Sequence, residues 1–185
     1  MIKALLKILL YSPFYFLSTK IAYKTFILTA RQVFIVKSVG TGKLVVGDKT
    51  TIGNSSSPGF FSYSYLDIRR ASAGIIIGES TVIGNRISII SNHRVSIGSK
   101  CLIGNDVKIY DTDFHSIDKN RKSENSLGGD VHIGENVFIG DNVVILKGVC
   151  IGDNSVIGAG SVVTKCFSDN TIIAGNPARG IGSVT

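Results

Sequence analysis

From residue 133 to residue 164 the chain repeats a six-residue unit without interruption. Ile133, Ile139, Ile145, Ile151, Ile157 and Val163 stand six apart, and Val137, Val143, Val149, Ser155 and Ser161 each follow four residues behind one of them. Ile77, Ile83 and Ile89 form an earlier block, and Ile97, Ile103 and Ile109 another, after a two-residue slip around residues 91–96. Val46 and Ile52 begin the series. A period of six is neither the 3.6 of a helix nor the simple alternation of a long strand. It fits a solenoid, in which short strands are separated by corners and each coil buries its apolar side chains on the next. The first and fifth positions of each unit point inward. The Gly-, Asp- and Asn-rich positions between them turn the corners, because those residues tolerate left-handed backbone. Three strands and three corners close a triangular coil of 18 residues.

The phase also locates departures from regularity. Leu127 lies 18 beyond Ile109 and six before Ile133, so the register is expected to survive across residues 115–126. Those twelve residues, HSIDKNRKSENS, have Ile117 as their only aliphatic and read as a polar loop thrown from one corner. Residues 55–73 form a second interruption, aromatic at first and ending in Arg69 and Arg70, and read as a displaced strand or lid. Residues 169–185 leave the pattern and read as a cap over the open end of the column.

Charge separates the first quarter from the rest. The chain carries a net +7, yet residues 1–43 hold seven basic residues and no acid, while the remainder holds 13 basic against all 13 acidic residues. A charge-balanced solenoid argues against nucleic acid as the partner. Within residues 1–36 the longest uncharged run, residues 8–19, is twelve residues, short of the roughly 20 that span a bilayer. Pro13 interrupts it, which fits a signal peptide poorly. Two readings stand for residues 1–43: a helical segment packed on the protein or on another subunit, or a basic amphipathic helix (residues 1–36) lying on an anionic membrane surface. The organisation expected is therefore 1–43, 44–168 and 169–185. Three scattered cysteines, with no CxxC, read as reduced thiols of a cytosolic protein. Scattered Cys and His give no zinc motif.

The segments 111–115 (DTDFH), 134–140 (GENVFIG), 158–165 (GAGSVVTK) and 174–178 (AGNPA) carry a resemblance. In their order and spacing, residues 75–180 resemble the hexapeptide-repeat acyltransferase superfamily, in the branch of sugar and polysaccharide O-acetyltransferases that includes galactoside and maltose acetyltransferases. The resemblance implies a left-handed parallel β-helix, against the general right-handed preference of crossovers. It implies acetyl-CoA as donor, a sugar or polysaccharide acceptor, and a homotrimer with the donor lying between subunits; the transfer chemistry itself requires no metal. His115 falls at the family's catalytic position.

The chemistry fits the residue types. A sugar hydroxyl is a weak nucleophile and needs a base, and histidine titrates in the right range. No Ser-His-Asp or Cys-His set stands out, so direct attack is expected rather than an acyl-enzyme. Asp111 or Asp113 is expected to orient His115 or hold acceptor hydroxyls. Asn85 and Asn92 lie where relatives contact the acceptor, although Asn92 stands where a carboxylate is frequent. The resemblance assigns the donor side to Phe138, in place of the family's frequent Trp, and to Gly140, Ala159, Gly160, Thr164, Lys165, Pro177 and Arg179, with Lys165 and Arg179 as the cations nearest its phosphates. His93 and His132 read as corner and surface residues.

Two other functions compete. One is N-acetylation of an amino-sugar nucleotide, or transfer to serine or an antibiotic. The other is a non-catalytic or metal-dependent β-helix protein, in which His93, His115 and His132 converge. The first reading places the protein in the cytoplasm, at the inner face of the membrane where lipid-linked glycan precursors are built.

Overall fold

The computed structural model describes residues 31–32, 36–54, 57–58, 62–116, 119 and 128–185. Their regular structure is entirely strand. The strands stack into three faces, and the chain visits the faces in rotation until its last two strands, which both join the eight-stranded face. The eight-stranded face holds β1 (Arg31–Gln32), β4 (Thr51–Ile52), β7 (Val82–Ile83), β10 (Leu102–Ile103), β13 (Phe138–Ile139), β16 (Val156–Ile157), β18 (Thr171–Gly175) and β19 (Ala178–Ser183). The six-stranded face holds β2 (Val36–Gly40), β5 (Ser64–Ile68), β8 (Ser88–Ser91), β11 (Lys108–Tyr110), β14 (Val144–Ile145) and β17 (Val162–Val163). The five-stranded face holds β3 (Lys43–Val46), β6 (Gly74–Ile77), β9 (Arg94–Ile97), β12 (Val131–Ile133) and β15 (Cys150–Ile151). All pairings are parallel except β18 with β19. This is the β-helix that the period of six predicts.

Register shows why the repeat dictates this shape. Ile103, Ile139 and Ile157 lie over one another on one face, and Ile109, Ile145 and Val163 on the next. All except Ile103, which is 4% exposed, are fully buried. A β-branched side chain stiff at χ1 packs against its copy in the next coil. The fifth positions fill the gaps beside the column: Val107, Val143, Val149, Ser155 and Ser161 are sealed from solvent. Where that position is polar, it bonds to the neighbouring coil. Thr81 Oγ1 donates to the Gly98 carbonyl at 3.0 Å, and Thr50 Oγ1 to that of Gly78 at 2.6 Å. Among the described residues no buried side-chain polar atom lacks a partner.

From Asp106 onward the left-handed corners fall on Asp, Asn and Gly as composition predicts, while Lys49, Ser80, Arg86 and Lys100 take the same conformation without that signal. Between the five- and eight-stranded faces, Lys49, Ser80, Lys100, Asn136, Asn154 and Asn170 all have φ between +54° and +59°. Between the eight- and six-stranded faces, Arg86, Asp106, Asn142 and Gly160 do the same, with φ of 58°, 59°, 59° and 72°. We call these the first and second corners. The third corner joins the six-stranded face to the five-stranded one.

Coil length is uneven. Ile133 and Ile151 are partners 18 apart, but Ile77 and Ile97 are 20 apart, and Ile97 and Ile133 are 36 apart. The excursion between β11 and β12 thus takes up one whole coil length. That is why the hexad phase runs through it, although the segments described there, 111–116 and 128–130, contain no strand. The interruption at 55–73 contains an ordinary rung, β5, paired with β2 and β8. The helix expected over residues 1–43 does not extend to its described part, since 36–40 and 43–46 are strands. Residues 1–30 lie outside the described residues. The C-terminal cap is a strand pair, β18 and β19, laid along the end of the eight-stranded face.

Candidate active site

The expected site residues divide between two corners. Asp111, Asp113, His115, Asn92, Thr164 and Lys165 lie at the third corner. Asn85, Gly140, Ala159, Gly160 and Pro177 lie at the second, with Arg179 just beyond on β19 and Phe138 on the outer wall of β13. One strand and its turns separate the two corners, up to about 20 Å for six extended residues.

At the third corner the excursion leaves the coil just after β11 and returns at Gly128 and Gly129. Asp111 anchors its departure. Its carboxylate is fully buried and accepts from the Asn92 amide at 2.7 Å, the His93 amide at 2.8 Å and Ser91 Oγ at 2.8 Å. Its carbonyl accepts from the Gly129 amide at 3.0 Å, closing the neck of the excursion. Asp111 was expected to orient His115 or hold an acceptor hydroxyl; its carboxylate is engaged by the 91–93 corner. A sealed carboxylate with three donors fixes the coil beneath instead. Gly128 crosses the edge of the His93 ring, and a side chain there would collide with it.

His115 stands exposed on the departing turn, and its amide donates to the Asp113 carbonyl at 2.7 Å. The preceding Phe114 has φ +65°, a conformation that an aromatic residue adopts only when its surroundings hold it. They do so on two sides. Tyr110 meets the Phe114 ring edge-on at 5.5 Å between centroids and 71° between planes, and the Arg69 guanidinium lies 5.0 Å from that ring. Arg69 is fixed in turn by Asp67, whose carboxylate accepts from its Nε at 2.8 Å. The Phe114 amide donates to Thr112 Oγ1 at 3.2 Å, and the Asn92 amide group reaches the same hydroxyl at 3.4 Å. Asp113 forms an ion pair with Lys147 of the next coil. The turn carrying His115 is therefore positioned by Phe114, Thr112 and the Asp113–Lys147 pair. Arg69, Phe114 and Lys147 were outside the expected set. The aromatic beside the histidine was the one available signal, since a hydrophobe on a polar excursion needs a partner.

Asn85 departs from expectation in the same way as Asp111. It is 3% exposed. Its side-chain NH2 donates to the carbonyls of Asn54, Ser57 and Pro58 at 2.9, 3.2 and 2.8 Å, and its Oδ1 accepts from the Asn54 amide at 2.8 Å. It ties the 54–58 segment to the second corner.

On the donor side the glycines differ from one another. Gly140 is buried, and a methyl group there would lie 2.6 Å from the Ala159 nitrogen, so this glycine serves coil stacking. Gly160 has φ +72° with open space outside it, and Ala159 is exposed beside it. That is the feature a ligand lying on the backbone requires. Phe138 is 47% exposed and continues an outward apolar row with Val82 and Leu102 on the rungs below. Lys165 is exposed, with its ammonium 5.5 Å from the Phe167 ring, and Arg179 is exposed beyond Pro177. Small residues, an exposed aromatic and two cations fit a pantetheine arm ending in phosphates. The three histidines do not converge: His132 faces outward and bonds Ser96 Oγ at 2.9 Å, and no three His, Cys, Asp or Glu side chains among the described residues are grouped to hold a cation.

A three-faced coil of hexads with a histidine-bearing excursion defines a hexapeptide-repeat β-helix. The profile described as "Bacterial transferase hexapeptide (six repeats)" matches residues 130–165. Among solved structures, a galactoside acetyltransferase in complex with coenzyme A is 39% identical over 60% of this chain and 56% of its own, with a TM-score of 0.58. This chain thus spans little more than half of that protein's length. The polysialic acid O-acetyltransferase OatWY is 31% identical over 80% of this chain and 67% of its own, at 0.63. A maltose O-acetyltransferase from Clostridium difficile 630 is 32% identical over 82% and 71%, at 0.57. The chain belongs to the bacterial hexapeptide-repeat transferase family, and its coils are those of the left-handed parallel β-helix.

Proposed function

We propose that the protein is an acetyl-CoA-dependent O-acetyltransferase acting on a hydroxyl of a sugar or cell-surface polysaccharide. The observation that carries this reading is His115, presented to solvent on a turn that its neighbours hold in a strained conformation. A purely structural coil has no use for such an excursion. Acetyl-CoA supplies an activated acyl carbonyl and a thiolate leaving group. His115 takes the proton of the acceptor hydroxyl as oxygen attacks that carbonyl, and returns it to the departing sulfur. Oxygen gains the acyl group, sulfur gains the proton, and the imidazole ends neutral.

The division of residues between two corners supports a site shared by neighbouring copies. In this reading the third corner of one subunit brings His115, Thr164 and Lys165. The second corner of its neighbour brings Ala159, Gly160, Pro177 and Arg179, with Phe138 alongside. The outward row Val82, Leu102 and Phe138 gives such neighbours an apolar surface to meet on. A homotrimer with three shared sites follows. Arg69 suits an acidic acceptor. Its Nε is engaged by Asp67, its guanidinium is braced on the ring next to His115, and its side chain is 43% exposed. A carboxylate-bearing sugar offers the matching bidentate partner. The seven basic residues of segment 1–43 would hold the enzyme at an anionic membrane face, near lipid-linked acceptors.

An acceptor screen tests the proposal: purified protein, acetyl-CoA, release of CoA thiol, and a panel of neutral and acidic oligosaccharides, amino sugars and serine. Thiol release that requires a hydroxyl-bearing saccharide is the expected result. Release only with amino groups would transfer the chain to the N-acetylating reading.

A further inference from the structure

Cys150 and Cys166 stand 16 residues apart in a chain whose regular coil is 18, and the sequence shows them as isolated thiols. The last coil is two residues short, however, and this brings them side by side. Ile151 bridges Phe167 in parallel, the Phe167 amide donates to the Cys150 carbonyl at 2.9 Å, and the Gly152 amide donates to the Phe167 carbonyl at 3.0 Å. That ladder fixes Cys166 against Cys150 on the outer wall, where both are exposed. The Cys150 amide lies 3.0 Å from Cys166 Sγ, and this sulfur lies 3.5 Å from the Gly148 carbonyl. Hydrogen bonding to the Cys166 sulfur pushes the Cys150 thiol up, with burial a smaller cause. The third cysteine is of another kind: Cys101 is fully buried beneath the Gly134 carbonyl, and burial pushes its thiol up.

Adjacent parallel strands run about 4.8 Å apart, inside the Cα separation of roughly 4.4–6.8 Å that a disulfide spans. We propose that Cys150 and Cys166 form a reversible dithiol–disulfide site on the outer wall of the last coil, oxidised by a low-molecular-weight disulfide such as glutathione disulfide. One cysteine thiolate attacks the oxidant's S–S bond, forming a mixed disulfide and releasing one small thiolate. The second cysteine thiolate then attacks the protein sulfur of that mixed disulfide and displaces the other small thiolate. The two cysteine sulfurs lose two electrons to the oxidant, and their two protons pass to the two thiols released. In-register parallel strands hold the Cβ atoms farther apart than the usual ~3.8 Å of a relaxed bridge. The bond is therefore strained and readily reduced, as a switch requires and a permanent staple does not. When closed, it ties the segment just after Thr164 and Lys165 to the coil beneath.

The test is intact mass and thiol counting on the full chain, exposed to glutathione disulfide under native conditions and then counted in denaturant so that buried Cys101 is included. The expected result is a fall from three titratable thiols to one, with no added glutathione mass, a linked peptide pair joining residues 150 and 166, and recovery of three thiols with dithiothreitol. Cys101→Ser should still lose two thiols. Cys166→Ser should instead accumulate a single glutathione adduct on Cys150. Persistence of all three thiols, separate adducts on Cys150 and Cys166, or disulfide-linked dimers would overturn the proposal.

Discussion

At the residue scale the column of inward aliphatics sets stability. Ile145 is fully buried between Ile109 below and Val163 above, so its truncation leaves a cavity that neighbours bound into strands cannot fill. Ile145→Ala should lower unfolding free energy by about 2–5 kcal/mol, measured by urea denaturation. Surface electrostatics act more weakly. The Arg86 guanidinium bonds Asp106 through both Nε and Nη2, and this holds the Asp106 carboxyl below the usual carboxylate range. A folded value below the unfolded one means stability that is present above roughly pH 4 and is lost as pH falls through the folded value. Asp106→Asn should lower the neutral-pH melt slightly and flatten that part of the acid limb, so that the two chains converge in thermal melts as pH falls from 5 to 2. Phe114 and Arg69 act on the site. Arg69→Ala should raise KM for an acidic acceptor more than it lowers kcat, the smaller kcat loss coming from the brace removed from Phe114, with the fold retained, and Arg69→Lys should restore part of the KM. An unchanged KM would remove Arg69 from the acceptor reading.

At the element scale, strand positions were legible in the sequence wherever the hexad is intact. From Ile133 to Val163 the inward residues, the corner asparagines and the strand order all follow from counting in sixes. Counting failed where coil length changes. The 36-residue step across the excursion preserves phase, as the count expects, because it is two coil lengths, so the count alone does not show that Ile133 pairs with Ile97. The aromatic interruption concealed β5, because its alternation of Tyr65, Leu66, Asp67 and Ile68 has no glycine corner near it. The cysteine pair was hidden by the short last coil. Buried polar roles were illegible for a different reason. Nothing in the spacing says that Asp111 and Asn85 spend their hydrogen bonds on backbone. Chemistry offered Asp111 or Asp113 to orient His115 or hold acceptor hydroxyls, and the resemblance offered Asn85 to the acceptor, while the partners of Asp111 and Asn85 are the 91–93 corner and the 54–58 segment. Asp111→Ala should accordingly lower the melting temperature and disorder the excursion, whereas a substrate ligand would change only KM.

At the scale of the whole molecule, the outer walls and corners decide function. One chain presents the His115 corner and the Gly160 corner on opposite ends of a face, and shared sites reconcile them. Light scattering should return three times the chain mass. Co-expression of His115→Ala with Ala159→Trp, each inactive alone, should restore partial turnover through mixed trimers, since some sites would then combine two intact corners. No restoration would mean that each chain holds a complete site. Among the described residues no helix is long and apolar enough to cross a membrane. The central claim rests on one imidazole. Steady-state CoA release by His115→Ala, against the unaltered chain with the same acceptor, tests it most directly. The account predicts kcat/KM lower by roughly 10²-fold or more, in line with loss of a general base, with melting temperature preserved. Turnover within a few-fold of the unaltered chain would contradict it.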